Sequence, residues 1–346
     1  MSVTRREFGK LAIATVPGAL LGEGALRSAF AAAKPNSLIK GVQVGTITYS
    51  YRAMKDQSAE ATLKYILDSG ISAVELMGGP IESFAGAPAM PFRPAPPPAA
   101  RPAGPAAAGA PPTPAGPGGP GMRRQLTPEE VAAREKYAAD LKAWRLSQSM
   151  DKFKALRKMY NDAGVTIYAT KMLAPNMSDE ELEYVFSVAE ALGANHTTLE
   201  LSTDGAVLKR LGAWGEKKKV YVGYHTHLQG TLTAFDEAFA VSKANMANVD
   251  FGHYVAAGSG DPVVFLEKFH DRICSFHLKD RKSKENGGAN VPWGQGDTPI
   301  QRILQTVSKN KYRMPATIEM EYEVPATSDP VAEVRSCVEF CRRVLA

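Results

Sequence analysis

The sequence predicts an α/β chain in which eight parallel strands, each followed by helix, close into a barrel. Three observations lead there. Short β-rich apolar runs alternate with helical stretches along most of the chain, the pattern of repeated βα units. Both kinds of segment number eight, which favours a closed (β/α)8 barrel over an open doubly wound sheet. Successive runs also end in carboxylate or imidazole groups: Asp250-Phe-Gly-His253, Phe276-His277-Leu-Lys279-Asp280 and Ile318-Glu319-Met-Glu321. A parallel barrel gathers such groups at one end.

The first segment reads Thr4-Arg5-Arg6-Glu7-Phe8-Gly9-Lys10, followed by the mildly apolar stretch from Leu11 to Leu21. A twin arginine ahead of an apolar run too short to anchor is the pattern of the bacterial twin-arginine export signal. Pro17 and Gly18 break a permanent helix, and Ala31-Ala32-Ala33 before Lys34 suits removal. The expectation is a signal peptide over residues 1–33 and a periplasmic product over 34–346. No later run approaches the roughly 20 apolar residues of a membrane span, so no membrane association is expected after cleavage.

Val42 to Thr48 reads as the first strand, Ala59 to Ser69 as a helix closed by Gly70, and Ile71 to Met77 as the second strand. From about Pro80 to Gly121 the chain is almost wholly Pro, Ala and Gly, which cannot bury a core. A disordered insertion over 80–125, emerging at the C-terminal rim after the second strand, is expected. Thr127-Pro128-Glu129-Glu130 is a helix start, with a capping Thr, Pro in the first turn and a carboxylate at the third position. The helix runs on to Asn161 with a break near Ser147 to Ser149. Then come strand Thr166 to Ala169, helix Asp179 to Leu192, strand Thr197 to Leu201, helix Gly205 to Lys217 and strand Val220 to His225. Val249 to Phe251, Ile273 to His277 and Ala316 to Glu319 complete the strands, with helices Pro262 to Phe269, Pro299 to Ser308 and Val331 to Val344.

A length of 346 residues with 44% hydrophobic content suits one large domain. The formal charge of +5 comes from the leader, Arg123, Arg124 and scattered lysines. No basic patch interleaved with aromatics is present, so nucleic acid is not an expected partner. Cys274 lies in an apolar strand, and Cys337 and Cys341 are one turn apart on the last helix; buried structural thiols are the reading, not a disulfide framework.

Residues two apart on a strand share a face. Glu319 with Glu321, His277 with Lys279, and His225 with His227 therefore point inward together, and such polar pairs are costly unless they meet each other, water or a metal. A divalent ion on Asp250, His277 and Glu319 would leave positions open for two neighbouring oxygens of a polyol or keto sugar. Glu321, Glu200, Glu75 and His253 are candidates to move a proton next to the carbonyl, and Lys279 to stabilise the resulting enediolate. The Trp293-Gly-Gln-Gly-Asp297 stretch lacks the lysine of a nucleotide loop. It reads either as substrate-side architecture, with Trp293 a stacking surface for a sugar ring, or as a purely structural turn.

From Gly41 to Val344, apart from the insertion, these residues resemble the sugar phosphate isomerase/epimerase superfamily with its xylose isomerase-like TIM barrel. The resemblance implies a bound divalent cation (Mn, Mg, Zn or Co) held by an Asp in an Asp-x-x-His setting, a His and a Glu from the last three strands; Asp250 with His253, His277 and Glu319 match. Where epimerase-like members carry a Glu on the fifth strand, this chain has His225 in Gly-Tyr-His225-Thr-His227. The fourth ligand is then His225, or Glu200 from the fourth strand, or no protein atom. Glu75, His227 and Trp293 are assigned to substrate binding, and Glu200, His253, Lys279 and Glu321 to catalysis. The Tyr-His-x-His pattern is also similar to that of inosose dehydratases. The activity implied is proton abstraction next to the carbonyl of a keto sugar or polyol, leading to isomerisation or epimerisation. The alternatives are a lyase or dehydratase on an inosose-like or 3-keto-sugar substrate, and a non-catalytic carbohydrate-binding barrel. Members often pair as homodimers. A related apurinic endonuclease fold assembles three metals with many more ligands than the 6 His here provide.

Overall fold

In the computed structural model, which describes residues 34–91 and 127–346, eight parallel strands follow one another in chain order. They are Val42–Ile47 (β1), Ala73–Met77 (β2), Thr166–Lys171 (β3), His196–Glu200 (β4), Tyr221–His225 (β5), Asn245–Asp250 (β6), Ile273–Leu278 (β7) and Ala316–Ile318 (β8). β8 pairs back onto β1, with Val44 opposite Ala316 and Thr46 opposite Ile318, and this closes the barrel. A two-residue strand, Leu38–Ile39, pairs antiparallel with the start of β1. Residues 1–33, which carry the expected export signal, lie outside the described residues.

The strands read as apolar because helices cover their outer faces while the barrel interior is filled by side chains. Every residue of β6 and β7 is buried, as a sheet covered on both faces requires. Small residues make room inside: a Cβ on Gly45 would come within 2.7 Å of the Tyr168 ring, and one on Gly223 within 2.9 Å of Cys274 Sγ. Tyr168 Oη and Thr317 Oγ1 share a hydrogen bond of 2.8 Å across that interior. All three cysteines are unpaired and buried, as expected from the sequence.

The covering helices are Ala59–Asp68 (α1), Gly78–Ala85 (α2), Pro128–Ser147 (α3), Asp151–Asp162 (α4), Asp179–Leu192 (α5), Gly205–Lys218 (α6), Asp236–Val241 (α7), Phe251–Ala256 (α8), Pro262–Phe269 (α9), Ile300–Asn310 (α10) and Pro330–Val344 (α11). Their starts follow local chemistry. Thr127 with Glu130, and Ser178 with Glu181, form reciprocal capping boxes, each of which satisfies two otherwise orphaned N–H groups. α5 buries Leu182, Val185, Phe186, Ala189 and Leu192, a stripe at helical spacing that faces the sheet.

Three expectations need correction. The insertion does not begin at Pro80, because Gly78–Ala85 forms α2, ended by Gly86 at φ 90°. Pro80 is harmless there, since an N–H in the first helical turn has no intrahelical partner to lose. The rest of the expected insertion that falls between 92 and 125 lies outside the described residues. β6 starts at Asn245, not Val249, because the Asn245 amide is satisfied by the carbonyls of Leu208 (3.1 Å) and Ala238 (2.9 Å). The short α7, absent from the sequence reading, precedes it. On the far side of the insertion, Arg145 of α3 grips Glu82 of α2 at 2.7 Å, and Tyr184 Oη donates to the same carboxylate at 3.2 Å. This contact pins both flanks of the insertion to the barrel.

Candidate metal centre at the barrel mouth

Parallel strands bring their C-terminal ends to one rim, and here that rim collects Lys171, Glu200, His225, Asp250, His277 and, just past β8, Glu319, with Glu75 of β2 one layer deeper. One ligand atom from each of His225, Asp250, His277 and Glu319 lies within 4.8 Å of the others, and all four residues are buried. Asp250 Oδ1 accepts the backbone N–H of His253 at 2.7 Å and so caps α8. Its Oδ2 is buried without a hydrogen bond of good geometry, although Lys279 Nζ lies 3.1 Å away. The Lys279 ammonium offsets the charge of this oxygen without bonding it directionally, and a metal ion would supply the directed partner that a buried oxygen otherwise lacks. Two imidazoles and two carboxylates suit a hard or borderline divalent ion. His225, Asp250, His277 and Glu319 are therefore the residues fitted to hold one.

A second group, Glu200 with His225 and His227, shares His225 with the first. Its Glu200 is half-exposed and already engaged, 2.9 Å from Lys171 Nζ and 3.3 Å from His227 Nδ1. The geometry thus favours His225 over Glu200 as the fourth donor and leaves Glu200 and His227 at the rim, open to a ligand.

His277 is clamped between two carboxylates, with Nε2 2.9 Å from Glu75 and Nδ1 2.9 Å from Glu319. Burial opposes charge on the ring, but Glu319 and Glu75 together raise its pKa to about 10. Burial would likewise raise Glu75, yet the His277 charge and hydrogen bond hold it at about 2. Lys279 Nζ lies 2.8 Å from Glu319 and 2.5 Å from Glu321 as well as near Asp250. These carboxylates outweigh burial and keep the ammonium charged.

One of the expected substrate contacts is placed differently. Glu75 is fully buried beneath His277 and accepts Thr198 Oγ1–H at 2.7 Å, so it orients the histidine and does not face the mouth. Trp293 meets Phe340 of α11 edge-on at 5.7 Å between ring centroids, which commits one ring edge to the helix layer. His253 sits between two cationic side chains, Lys279 and Arg281. Burial, then the charges of Lys279 and Arg281, push its pKa down to about 2. Its Nε2 lies 3.1 Å from Lys279 Nζ and its Nδ1 2.5 Å from an Arg281 nitrogen; both partners only donate, so the neutral ring accepts from one of them. Glu321 stays partly exposed beside Lys279.

Sequence reasoning missed Asn248, Ser275, Lys171 and Arg281. The two-residue alternation that paired His277 with Lys279 would also have found Asn248 behind Asp250 and Ser275 behind His277, one step deeper in the barrel. Lys171 ends β3, one residue beyond the buried Thr170.

Over 145 residues the chain is 28% identical to an inosose dehydratase of Clostridium tetani, a match covering 36% of this chain and 48% of that protein. It spans about half the length of the curated relatives it matches. Among solved structures, the probable 3-DHS dehydratase AsbF of Bacillus anthracis superposes with a TM-score of 0.56 at 15% identity, covering 86% of this chain and 98% of that one. The 3-keto-D-glucoside 4-epimerase YcjR of E. coli does so with a TM-score of 0.52 at 11% identity, over 87% and 99%. At such identities the fold is what is shared. Residues 131–344 match the family profile directly, and with the closed barrel and its gathered strand ends in view, this chain belongs to the xylose isomerase-like TIM barrel family.

Proposed function

We propose that this protein is a divalent-metal-dependent enzyme that removes a proton next to the carbonyl of a keto sugar or cyclic polyol and returns it elsewhere, as an isomerase or epimerase. The observation that carries the reading is the buried set His225, Asp250, His277 and Glu319, with Asp250 Oδ2 lacking a hydrogen bond. A bound ion would polarise the substrate carbonyl and acidify the adjacent C–H. Glu321, partly exposed at the end of the same chain segment as Glu319, takes that proton as a carboxylate. Lys279, between Glu319 and Glu321, offsets negative charge as it moves onto the substrate oxygen. Glu200 and His227 face the ligand from the β4–β5 side of the mouth and bond its hydroxyls.

A dehydratase is the second reading, favoured by His225-Thr-His227 and by the inosose dehydratase relatives. The first step is the same; the intermediate then expels a β-hydroxyl, which leaves as water after protonation. Elemental analysis of the purified protein, combined with solvent deuterium exchange into a panel of keto sugars and inososes, tests both readings. Exchange at one carbon that is lost on chelation supports the shared step, and the product separates the two outcomes. Full activity after exhaustive chelation, or no exchange with any substrate, would sink both.

The Arg5-Arg6 leader supports export to the periplasm. Cell fractionation should find the protein outside the cytoplasm and the Arg5→Lys/Arg6→Lys variant retained inside. Equal distribution of the two would remove the proposal.

A further inference from the structure

Beneath the four-residue cluster a chain of hydrogen bonds crosses the barrel interior. His225 Nδ1 lies 2.8 Å from Asn248 Oδ1, Asn248 Nδ2 donates to Ser275 Oγ at 2.6 Å, and Ser275 Oγ lies 2.8 Å from His196 Nε2. Asn248, Ser275 and His196 have 0% exposure, so water does not compete for these groups. His225 pairs in register with Asn248, and Asn248 with Ser275, across three adjacent strands. The alignment is therefore set by the sheet and not by chance rotamers.

The orientation of the Asn248 amide follows from its surroundings. Its second hydrogen faces Glu75 Oε2 at 3.4 Å, a carboxylate oxygen that accepts. The nitrogen therefore belongs on the Ser275 and Glu75 side, and the oxygen on the His225 side. An amide oxygen only accepts, so His225 Nδ1 must carry the hydrogen, and in a neutral imidazole Nε2 then keeps its lone pair. The backbone carbonyl of Asn248, 3.2 Å from the same Nδ1, imposes the same condition.

We infer that Asn248 is a positioning residue that locks His225 as the Nδ1–H tautomer and thereby makes Nε2 the metal donor of the fifth strand. The inference rests on the metal-centre reading above. A carboxylate at this position would need no such control, because either oxygen can ligate. An imidazole does, because the wrong tautomer presents a hydrogen to the ion. Asn248 is thus the partner that a histidine ligand in β5 requires.

The test uses the metal-free full-length protein and its Asn248→Leu variant. Long-range 1H–15N NMR should show His225 with a protonated Nδ1 and an unprotonated Nε2 in the wild type, and loss of that single tautomer in N248L. Calorimetric titration with Mn2+ should show affinity weaker by about 10–100-fold in N248L. A hydrogen on Nε2 in the wild type overturns the inference whether or not the variant folds, and so does unchanged Mn2+ affinity in a folded N248L. If the wild type binds no Mn2+, the metal-centre reading fails, while the NMR pattern still decides the tautomer.

Discussion

Glu75 Oε2 lies 2.9 Å from His277 Nε2, with neither side chain exposed, and Glu319 holds the other ring nitrogen at the same distance. The ring is therefore charged in the metal-free protein, with a pKa raised to about 10 chiefly by Glu319 and Glu75 against the effect of burial. A metal that takes one ring nitrogen must displace its hydrogen. Binding of Mn2+ between pH 6 and 8 should release about one proton from this residue, and apparent affinity should weaken about tenfold per unit as pH falls below 10. Calorimetry in buffers of different ionisation enthalpy measures the release; a value near zero would exclude His277 as a ligand. In Glu75→Gln the metal-free ring should titrate at lower pH by NMR, since one of the two stabilising charges is gone.

Asp250 has two separable tasks. Oδ1 caps α8 through the His253 N–H, whereas Oδ2 faces the cluster. In Asp250→Asn the amide oxygen can keep the cap while the second oxygen is lost. Metal affinity should fall by at least about 100-fold, as expected when one of four donors is removed, with little change in thermal unfolding of the metal-free protein. Equal affinity in the variant and the wild type would place the ion elsewhere.

Gly252, the second residue of α8, packs against the segment after β7. A Cβ there would come within 2.3 Å of Lys279 Cγ and 2.6 Å of the Lys279 carbonyl oxygen, and a backbone atom cannot give way as a flexible side chain can. Gly252→Ala should cost about 1–3 kcal/mol by urea unfolding and displace Lys279 from Asp250. A variant as stable as the parent would show that α8 can shift freely.

Burial, only partly opposed by Glu75, lowers the pKa of His196 from 6.5 to about 4. Below pH 6.5 the unfolded chain takes up a proton on this residue that the folded chain refuses until about pH 4. The sign is thus fixed: stability is lost as pH falls through that window, by about 3 kcal/mol in full. Urea unfolding across pH 4 to 7 should show this slope in the wild type and its reduction in His196→Gln. An identical pH dependence in both proteins would contradict the assignment.

Much of the fold was legible because it rests on local chemistry. The Thr127 capping box, the stripe from Leu182 to Leu192 and the apolar runs of β1, β2 and β7 each signal their element within a few residues. The misplaced boundaries share a cause: the start of β6 at Asn245 rests on carbonyls of Leu208 and Ala238 distant from the strand, and Pro80 is accepted in α2 only because it falls in the first turn. At the site, Asp250, His277 and Glu319 were visible as inward-facing strand ends. The retreat of Glu75 beneath His277, the neutral state of His253 and the part played by Asn248 were not.

From the sequence alone come the alternating pattern that makes a closed parallel barrel and the identity of the groups at its mouth. Periodicity and residue type are properties of neighbours along the chain, so they survive without coordinates. Only the tertiary structure decided which polar group faces the mouth, which lies beneath another and which nitrogen of a ring is free. Those outcomes depend on pairing across strands far apart in sequence, where burial and a single hydrogen-bond partner settle charge and orientation.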